Sequence, residues 1–303
     1  MSRGAVWLSG GTGLLGSQLV PKLVADGWTL RRLSRRDSPA TPAIENVRWE
    51  GLKVDTDSLR GTRAVIHLAG EPVFGGLPTA ARRKRIFASR VESTRSLVSA
   101  LAELPEPERP SVLLCASAIG YYGERGDEEL SEDAAPGEGF LADLCRAWEE
   151  QAARVEELGM RRISLRFAVV LSREGGALAQ MAPIFRAGLG GRLGTGNQWF
   201  SWIHIDDAVG LILRGLEDDS LSGAVNATAP EPVRNREYTR QLGEALRRPA
   251  RLVVPAFAVK AALGPLAGEL LGSKRVLPKV AVSAGYPWRH PDLASALSQE
   301  VGR

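Results

Sequence analysis

The chain has 303 residues, of which 44% are hydrophobic and 24% are charged, and its formal net charge is +4. This composition is typical of one large or two unequal globular domains with a substantial core, and we find neither an internal repeat nor a low-complexity tract. The first residues lack the layout of a signal peptide and there are two cysteines, so we expect a cytoplasmic protein with reduced thiols and no disulfide framework.

The first element is a predicted strand over 4–9, and a glycine-rich turn follows it directly. The pattern fits a dinucleotide-binding fingerprint twice, as Gly11-x-Gly13-x-x-Gly16 and as Gly10-x-x-Gly13-x-x-Gly16. Glycine allows a tight turn, a close approach of the backbone to a pyrophosphate, and close packing of the next helix. We therefore predict that the turn contacts a dinucleotide cofactor through Gly10, Gly11, Thr12, Gly13, Leu14, Leu15 and Gly16.

A helix is predicted from the end of this turn to about Gly27, with a bend at Pro21, and a second strand covers 28–34. Proteins that prefer NAD usually carry an acidic residue where this second strand ends. Here Arg35 and Arg36 stand instead, and two guanidinium groups can hold the 2′-phosphate of NADP. We predict NADP as the cofactor, while Asp37 leaves open that these arginines are ordinary solvated charges.

The remaining first half alternates predicted strands with helices: strand 64–68, helix 82–104, strand 111–116, helix 140–158 and strand 162–169. This alternation predicts an α/β fold with a doubly wound parallel sheet of the Rossmann type. The basic run 82–85 is interpreted as a solvated helix end, so we expect no nucleic-acid partner. Because ligands bind beyond the carboxyl ends of such strands, we expect cofactor contacts from Leu68, Ala69, Gly70, Glu71, Ala116 and Phe167.

Beyond 229 the alternation becomes irregular and predicts a smaller C-terminal α/β lobe. Its apolar stretch 255–272 is interrupted by two charges and a proline and falls short of the roughly 20 apolar residues of a membrane span. We interpret this stretch as a buried helix pair and expect no membrane partner.

Several stretches together resemble the NAD-dependent epimerase/dehydratase branch of the extended short-chain dehydrogenase/reductases, and within it the YfcH-like epimerase-family proteins; they are 9–16, 67–72, 117–123, 188–191, 199–207, 226–235 and 275–279. The resemblance implies an NADP-binding Rossmann domain, assigned to 1–172 and 202–228, and a substrate-binding lobe, assigned to 173–201 and 229–303. It also implies an oxidoreductase or epimerase acting on a small molecule, and a homodimer formed through the long helices 82–104 and 140–158.

The Tyr-x-x-x-Lys pair that moves the proton in most of that superfamily is missing, because none of the four tyrosines has a lysine four residues later. The remaining candidates for catalysis are Ser117, Tyr121 and Tyr122. Each also has an ordinary structural interpretation: the serine as a cap at a strand end, and at least one tyrosine as an aromatic ring packed under a loop. Arg146 is a candidate to replace the missing lysine as a contact to the cofactor ribose. It stays protonated at neutral pH and so cannot serve as an acid.

The glycine-rich segment 188–207 is the candidate substrate site, and it also fits a mobile loop. We assign substrate binding to Gln198, Trp199, Trp202 and His204. Asp206 and Asp207 are interpreted as residues that stabilise the start of a helix, and no His, Cys or Asp cluster has the sequence spacing of a metal site, so we expect no metal.

Two hypotheses of different classes follow. The first is an NADP-dependent oxidoreductase or epimerase, for which a nucleotide-sugar epimerase proper is a narrower version. The second is a sensor or interaction protein that binds NADP without turnover, and the missing Tyr-x-x-x-Lys pair favours it.

Overall fold

The computed structural model describes residues 3–35, 40–74, 76 and 79–302. The central feature is a seven-stranded sheet in the order β12-β7-β5-β4-β1-β2-β3. In chain order the strands are β1 (Ala5–Ser9), β2 (Thr29–Ser34), β3 (Ile44–Arg48), β4 (Thr62–His67), β5 (Val112–Ala118), β6 (Glu129–Leu130), β7 (Arg161–Phe167), β8 (Val169–Leu171), β9 (Gly191–Leu193), β10 (Trp199–Phe200), β11 (Trp202–His204), β12 (Gly223–Ala227), β13 (Val233–Arg234), β14 (Leu252–Val254) and β15 (Arg275–Val276).

Helices connect the sheet strands and make up much of the second half of the chain. They are α1 (Leu14–Ala25), α2 (Ala80–Phe87), α3 (Ser93–Glu103), α4 (Phe140–Ala153), α5 (Gly176–Arg186), α6 (Ile205–Glu217), α7 (Asn235–Ala245), α8 (Ala256–Leu263), α9 (Ala267–Leu271), α10 (Lys279–Ser283) and α11 (Leu293–Val301).

The strand order confirms the predicted doubly wound sheet. β1 pairs in parallel with β2 on one side and with β4 on the other, and β2–β3 and β4–β5 are parallel as well. The chain therefore builds outward from β1 through β2 to β3 and then returns to continue on the other side at β4. In sheets of this kind the crevice at the carboxyl ends of the two strands beside the reversal is where ligands bind.

The chain divides into two compact units. The first unit comprises Met1–Ser117, Leu144–Leu165 and Ile212–Ala224, and its core includes the fully buried strand residues Val6, Trp7 and Leu8. The second unit comprises Ala118–Asp143, Arg166–Leu211 and Val225–Arg303. Its largest core cluster contains Leu178, Phe185, Trp202, Tyr238, Leu242 and Leu297. The domain bounds assigned from the sequence stay a prediction.

The long helix predicted over 82–104 is interrupted. α2 ends at Phe87, a π-helical turn occupies Ala88–Glu92, and α3 begins at Ser93. A π turn inserts an extra residue into an α-helix and is frequent at functional sites. The predicted helix over 140–158 likewise ends as an α-helix at Ala153 and continues to Leu158 as a 3₁₀ helix.

The interpretation of 255–272 as a buried helix pair is wrong. The segment does form two short helices, α8 and α9, but Phe257 is 75% exposed and Val259 is the buried residue of α8. Seven of the eight residues of α8 are apolar. The composition of this helix alone therefore could not show that much of its surface is exposed. Within the described part of the chain, no helix is both long and apolar enough to cross a membrane.

Candidate functional site

The turn between β1 and α1 requires glycine at two positions for steric reasons. Gly10 has φ +75°, and a Cβ added there would lie 2.7 Å from the carbonyl carbon of Leu68. A Cβ on Gly16 would lie 2.2 Å from the carbonyl oxygen of Gly10. A Cβ on Gly11 would meet side chains and not backbone, with Arg32 Cγ at 3.0 Å and Leu8 Cδ2 at 3.2 Å. Of the two fingerprint spacings, the backbone therefore requires the one that begins at Gly10.

The amino end of α1 is open to an anion. Gly13 is the N-cap residue, no side chain of the described residues caps the helix, and its first turn contains no acidic residue. The first turn of a helix presents backbone N–H groups and the positive end of the helix dipole. The carboxyl end of β1 thus delivers an uncapped helix terminus of the kind that binds pyrophosphate.

This helix terminus borders a cavity of about 510 Å³ in the first unit. Of the predicted cofactor residues, the lining includes Gly10, Thr12, Gly13, Arg35, Leu68, Ala69, Gly70 and Glu71. Gly11, Leu14, Leu15, Gly16, Ala116 and Arg146 are absent from the lining within the described part of the chain, and Phe167 belongs to the second unit. Arg36 lies outside the described residues.

A buried histidine supports the loop after β4. His67 Nδ1 lies 2.6 Å from Ser9 Oγ, and its Nε2 lies 3.2 Å from Ser93 Oγ. The amide of Ala69, which lines the cavity, donates to Ser9 Oγ at 3.4 Å. Burial, with a smaller effect from the charge of Arg90, lowers the pKa of His67 to about 4. His67 is therefore neutral near pH 7 and acts as a positioning residue for the cavity wall.

The π turn holds the same loop from the other direction. Ser89 Oγ accepts a hydrogen bond from the amide of Glu71 at 2.9 Å, and Arg90 Nη1 donates to the carbonyl oxygen of Glu71 at 2.9 Å. The guanidinium carbon of Arg90 lies 5.3 Å from the ring centroid of Trp148. The interruption of the predicted helix therefore turns two polar side chains onto the loop that carries Gly70 and Glu71.

Ser117 has a partner that sequence reasoning missed. Its hydroxyl donates to Glu149 Oε1 at 2.6 Å, and both residues are buried in the first unit. A buried carboxylate is costly unless it is paired or hydrogen-bonded, so this pairing is a specific feature of the site. Burial raises the pKa of the neighbouring Cys115 thiol to about 12, which leaves it an unreactive thiol near pH 7.

The two candidate tyrosines differ in what their hydroxyl groups do. Tyr122 is fully buried, donates to Asn226 Oδ1 at 2.7 Å and accepts from Arg166 Nη1 at 2.8 Å. Burial raises the pKa of Tyr122 to about 12. The ring of Tyr121 is half-buried with Arg166 Cζ 3.5 Å from its centroid, and its hydroxyl has no hydrogen-bond partner among the residues described. Tyr122 thus has a structural role, and Tyr121 keeps a free phenol.

Two guanidinium groups lie close to the ring of Trp199. The guanidinium carbons of Arg234 and Arg275 are 3.9 Å and 4.7 Å from its ring centroid, and its Nε1 donates to Asp127 at 2.9 Å. The neighbouring Gln198 donates through Nε2 to the carbonyl oxygen of Leu193 at 3.1 Å. Arg234 is paired with Asp127 at 2.7 Å and Arg275 with Glu129 at 2.9 Å, so the charge of both guanidinium groups is balanced. Trp199 is partly exposed, so its ring is accessible to a ligand.

Trp202 and His204 are fully buried in the second unit. Trp202 Nε1 donates to the carbonyl oxygen of Glu231 at 3.1 Å. His204 Nε2 lies 3.0 Å from Glu300 Oε1, and its Nδ1 accepts the amide of Asp206 at 3.1 Å. The geometry therefore gives both residues a packing role, and their assignment to a substrate stays a prediction.

Two further observations concern the acidic residues that begin α6. Ligand atoms of His204, Asp206 and His290 lie within 4.8 Å of one another, a grouping that sequence spacing did not reveal. Because both nitrogens of His204 already have partners, we assign no metal there. The buried Asp207 accepts the amides of Arg289 and His290 at 2.8 Å and 2.9 Å, so it fixes the C-terminal segment in place.

Comparison with known proteins gives a consistent result over the whole chain. The model of the NAD dependent epimerase/dehydratase family matches residues 6–227, and that of a domain of unknown function, DUF1731, matches residues 254–300. The chain is 38% identical over 301 residues to the epimerase family protein SDR39U1 homolog, chloroplastic, of Arabidopsis thaliana, covering 98% of this chain and 86% of the relative. It is 37% identical over 306 residues to the epimerase family protein MT2273 of Mycobacterium tuberculosis, covering 100% of this chain and 99% of the relative. The crystal structure of human epimerase family protein SDR39U1 (isoform 2) with NADPH superposes with a TM-score of 0.88 at 31% identity, covering 98% of this chain and 99% of the human one.

Proposed function

Because the chain belongs to the NAD-dependent epimerase/dehydratase family, we propose that it is an NADP-dependent oxidoreductase or epimerase acting on a small molecule. The observation that carries the proposal is the turn from β1 to α1, where Gly10 and Gly16 leave no room for a Cβ and the helix terminus is uncapped. A similar human protein was crystallised with NADPH, which supports the same cofactor here.

The cavity residues fit a dinucleotide. The amides at the start of α1 would hold the pyrophosphate, and Arg35, exposed at the rim after β2, would hold the 2′-phosphate. The loop over 68–71, braced by Ser9, Ser89 and Arg90, would form the opposite wall. When bound, NADP supplies hydride transfer at its nicotinamide, and the protein supplies orientation and proton transfer.

The buried pair Ser117 and Glu149 offers a route for the proton in place of the missing Tyr-x-x-x-Lys pair. A substrate hydroxyl that donates to Ser117 Oγ would have a carboxylate one hydrogen bond further on, since Ser117 already donates to Glu149 at 2.6 Å. The proton of Ser117 then moves to Glu149 as Ser117 accepts the proton of the substrate. In the opposite direction, protonated Glu149 and Ser117 would return a proton to a substrate oxygen.

The cofactor assignment is tested by titrating the purified protein with NADPH and NADH and following fluorescence. We expect Arg35→Ala to weaken NADPH binding by about tenfold or more, because a charge-assisted contact to the 2′-phosphate is lost. NADH binding should change less than threefold. Arg154→Ala removes the same charge from an exposed position and serves as the matched control. Equal loss of NADPH and NADH affinity in Arg35→Ala would contradict the role given to this side chain.

Catalysis is tested by screening carbonyl compounds and nucleotide sugars for NADPH oxidation or for epimerisation. Ser117→Ala and Glu149→Gln should each abolish turnover while leaving the NADPH affinity within threefold of wild type. Full activity in Glu149→Gln would contradict the proton route. Since Tyr121 keeps a free hydroxyl, Tyr121→Phe tests the alternative donor in the same assay.

The second candidate function, an NADP-binding protein without turnover, is favoured by one observation. The hydroxyl of Tyr122 is committed to Arg166 and Asn226, which removes one of the two tyrosines near Ser117 in sequence from consideration as a proton donor. NADPH binding without turnover across the whole substrate screen would support this function over the enzyme.

Substrate, assembly and location remain parts of the proposal. We propose a small, nucleotide-linked substrate that stacks on Trp199 and contacts Gln198, since a partly exposed indole offers a stacking surface to an aromatic base. A homodimer and a cytoplasmic location are proposed as well, although the name of one relative includes the word chloroplastic. Light scattering of the purified protein and fractionation of its native cells test these two points.

A further inference from the structure

We infer that the second unit contains an anion site for a ligand with two or more linked phosphate groups, in a cavity formed by β9, α7 and the turn that leads into β14. The cavity has a volume of about 810 Å³. All of its lining residues belong to the second unit, whereas the proposed NADP site is formed by the first, so this inference does not depend on the proposed function.

The charge of the lining is strongly one-sided. One acidic residue, Glu244, is found among the residues that line the cavity, against six arginines: Arg192, Arg236, Arg240, Arg247, Arg248 and Arg251. Like charges held together on a concave surface repel one another and raise the local concentration of anions. Such a grouping is retained at a cost to stability unless a ligand neutralises it.

Part of this charge is already used within the protein. Arg240 bonds Glu237 and Glu244 at 2.5 Å each, and Arg236 donates to Asn197 Oδ1 at 3.0 Å. Arg192 donates through Nη1 to the carbonyl oxygen of Thr195. These three arginines are therefore fixed in place and less available to a ligand.

Three arginines keep their guanidinium groups free. Arg247, Arg248 and Arg251 are exposed and have no ion pair or side-chain hydrogen bond among the residues described. The amides of Arg247 and Arg248 close the end of α7 on the carbonyl oxygens of Glu244 and Gly243, both at 2.9 Å. The backbone of this turn is thus fixed while its guanidinium groups stay unpaired.

A neutral side chain in the wall also lacks a partner. Thr239 lines the cavity, is only 3% exposed, and its Oγ1 is a buried oxygen with no hydrogen-bond partner among the residues that the structure describes. A buried hydroxyl without a partner costs free energy, and native proteins contain few of them. If the Thr239 side chain rotates toward the cavity, a phosphate oxygen there would accept the hydrogen bond that its hydroxyl is missing.

The chemistry of the lining favours a chain of phosphates over other anions. Guanidinium groups bind phosphate oxygens through paired, charge-assisted hydrogen bonds, and several arginines along a groove match several phosphates. No aromatic side chain is found among the described residues that line the cavity, so they offer no stacking surface of the kind that binds single-stranded nucleic acid. The ligand class is therefore a small oligophosphate, supplied as an inorganic polyphosphate or as a nucleoside polyphosphate.

The test is a calorimetric titration of the full chain with inorganic tripolyphosphate at low ionic strength, carried out with and without excess NADPH. Excess NADPH occupies the proposed pyrophosphate site and so prevents tripolyphosphate from binding there. If NADPH does not bind, the titration without it still measures tripolyphosphate binding to the chain. We expect tripolyphosphate to bind detectably at about 50 mM salt. At about 200 mM salt its affinity should be lower by about tenfold or more, because the binding is electrostatic. No detectable binding would overturn the inference.

The variants locate the site. Arg248→Gln/Arg251→Gln should weaken tripolyphosphate binding by about tenfold or more, and Thr239→Val should weaken it by about threefold or more. Lys84→Gln/Arg154→Gln removes the same charge from exposed positions in the first unit and should stay within threefold of wild type. Thermal melting of each variant verifies folding. Equal weakening in both double variants would show a general charge effect and overturn the inference.

ATP distinguishes the two sources. If ATP binds with the same affinity as tripolyphosphate, the site recognises the phosphate chain alone. If ATP binds more tightly and the arginine variants lose this binding, the ligand is a nucleoside polyphosphate. Binding of a nucleic-acid oligomer with no binding of either small ligand would overturn the inference in favour of a macromolecular partner.

Discussion

The buried His67 predicts a specific loss of stability in mild acid. Its folded-state pKa of about 4 lies well below the ordinary value of 6.5, because burial opposes the charged ring. Between these two values the unfolded chain binds a proton that the folded chain does not. The stabilising contribution is therefore complete above pH 6.5 and is lost progressively as the pH falls toward 4.

The size of this effect follows from the two pKa values. From pH 7 to pH 5, His67 alone should reduce the free energy of unfolding by about 2 kcal/mol. His67→Asn removes the titrating group. Between pH 7 and pH 5 the variant should therefore lose about 2 kcal/mol less of its free energy of unfolding than the wild type does. The variant also loses the bonds to Ser9 and Ser93, which lowers its stability at every pH without imitating the pH dependence.

Urea unfolding at pH 7, 6 and 5, followed by tryptophan fluorescence, measures the difference. Ser93→Ala is the matched control, because it removes a partner of His67 and leaves the ring buried, so its pH dependence should follow the wild type. If His67→Asn loses stability between pH 7 and pH 5 as steeply as the wild type, the ring is not held neutral by burial and the reasoning is refuted.

Three further predictions follow from single contacts. Gly16→Ala should weaken NADPH binding by more than about tenfold and Gly11→Ala by less, because the added Cβ clashes with backbone at Gly16 and meets the side chains of Arg32 and Leu8 at Gly11. Fluorescence titration of the two variants compares these affinities. Tyr122→Phe should lower the free energy of unfolding by roughly 1–3 kcal/mol, because buried Arg166 loses an acceptor, and an unchanged urea midpoint would contradict this. Asp207→Ala should lower the free energy of unfolding by roughly 2–4 kcal/mol, since two charge-assisted hydrogen bonds are lost. Amide exchange at 289 and 290, measured by mass spectrometry, should increase. Unchanged exchange there would show that the segment is held by other contacts.

The parts of the fold that the sequence predicts correctly are those determined locally. The strand before Gly10, the glycine turn and α1 follow from residues that are adjacent in sequence, because turn sterics and helix periodicity act over a few residues. The strand β3, by contrast, was not predicted. It reads Ile44-Glu45-Asn46-Val47-Arg48, and as the edge strand of the sheet it needs little apolar surface to pair with β2.

The parts of the site that could not be predicted depend on long-range contacts. Ser117 and Glu149 are 32 residues apart, and nothing in the sequence of α4 distinguishes Glu149 from the exposed Glu150 beside it. The burial of His204 against Glu300 is likewise a long-range contact, since the two residues are 96 positions apart in the sequence. Composition also fails at Phe257, because an apolar side chain does not reveal which part of the surface is left uncovered.

The interleaving of the two units along the chain has a consequence for synthesis on the ribosome. The chain changes unit after residues 117, 143, 165, 211 and 224. The first unit therefore lacks its last segment until Ala224 has left the exit tunnel. By that time the segments 118–143 and 166–211 of the other unit have emerged completely. Neither unit can be released as a continuous fragment by a single cut, and a nascent chain stalled before Gly223 would expose β7 as an unpaired edge, a surface that invites aggregation or chaperone binding.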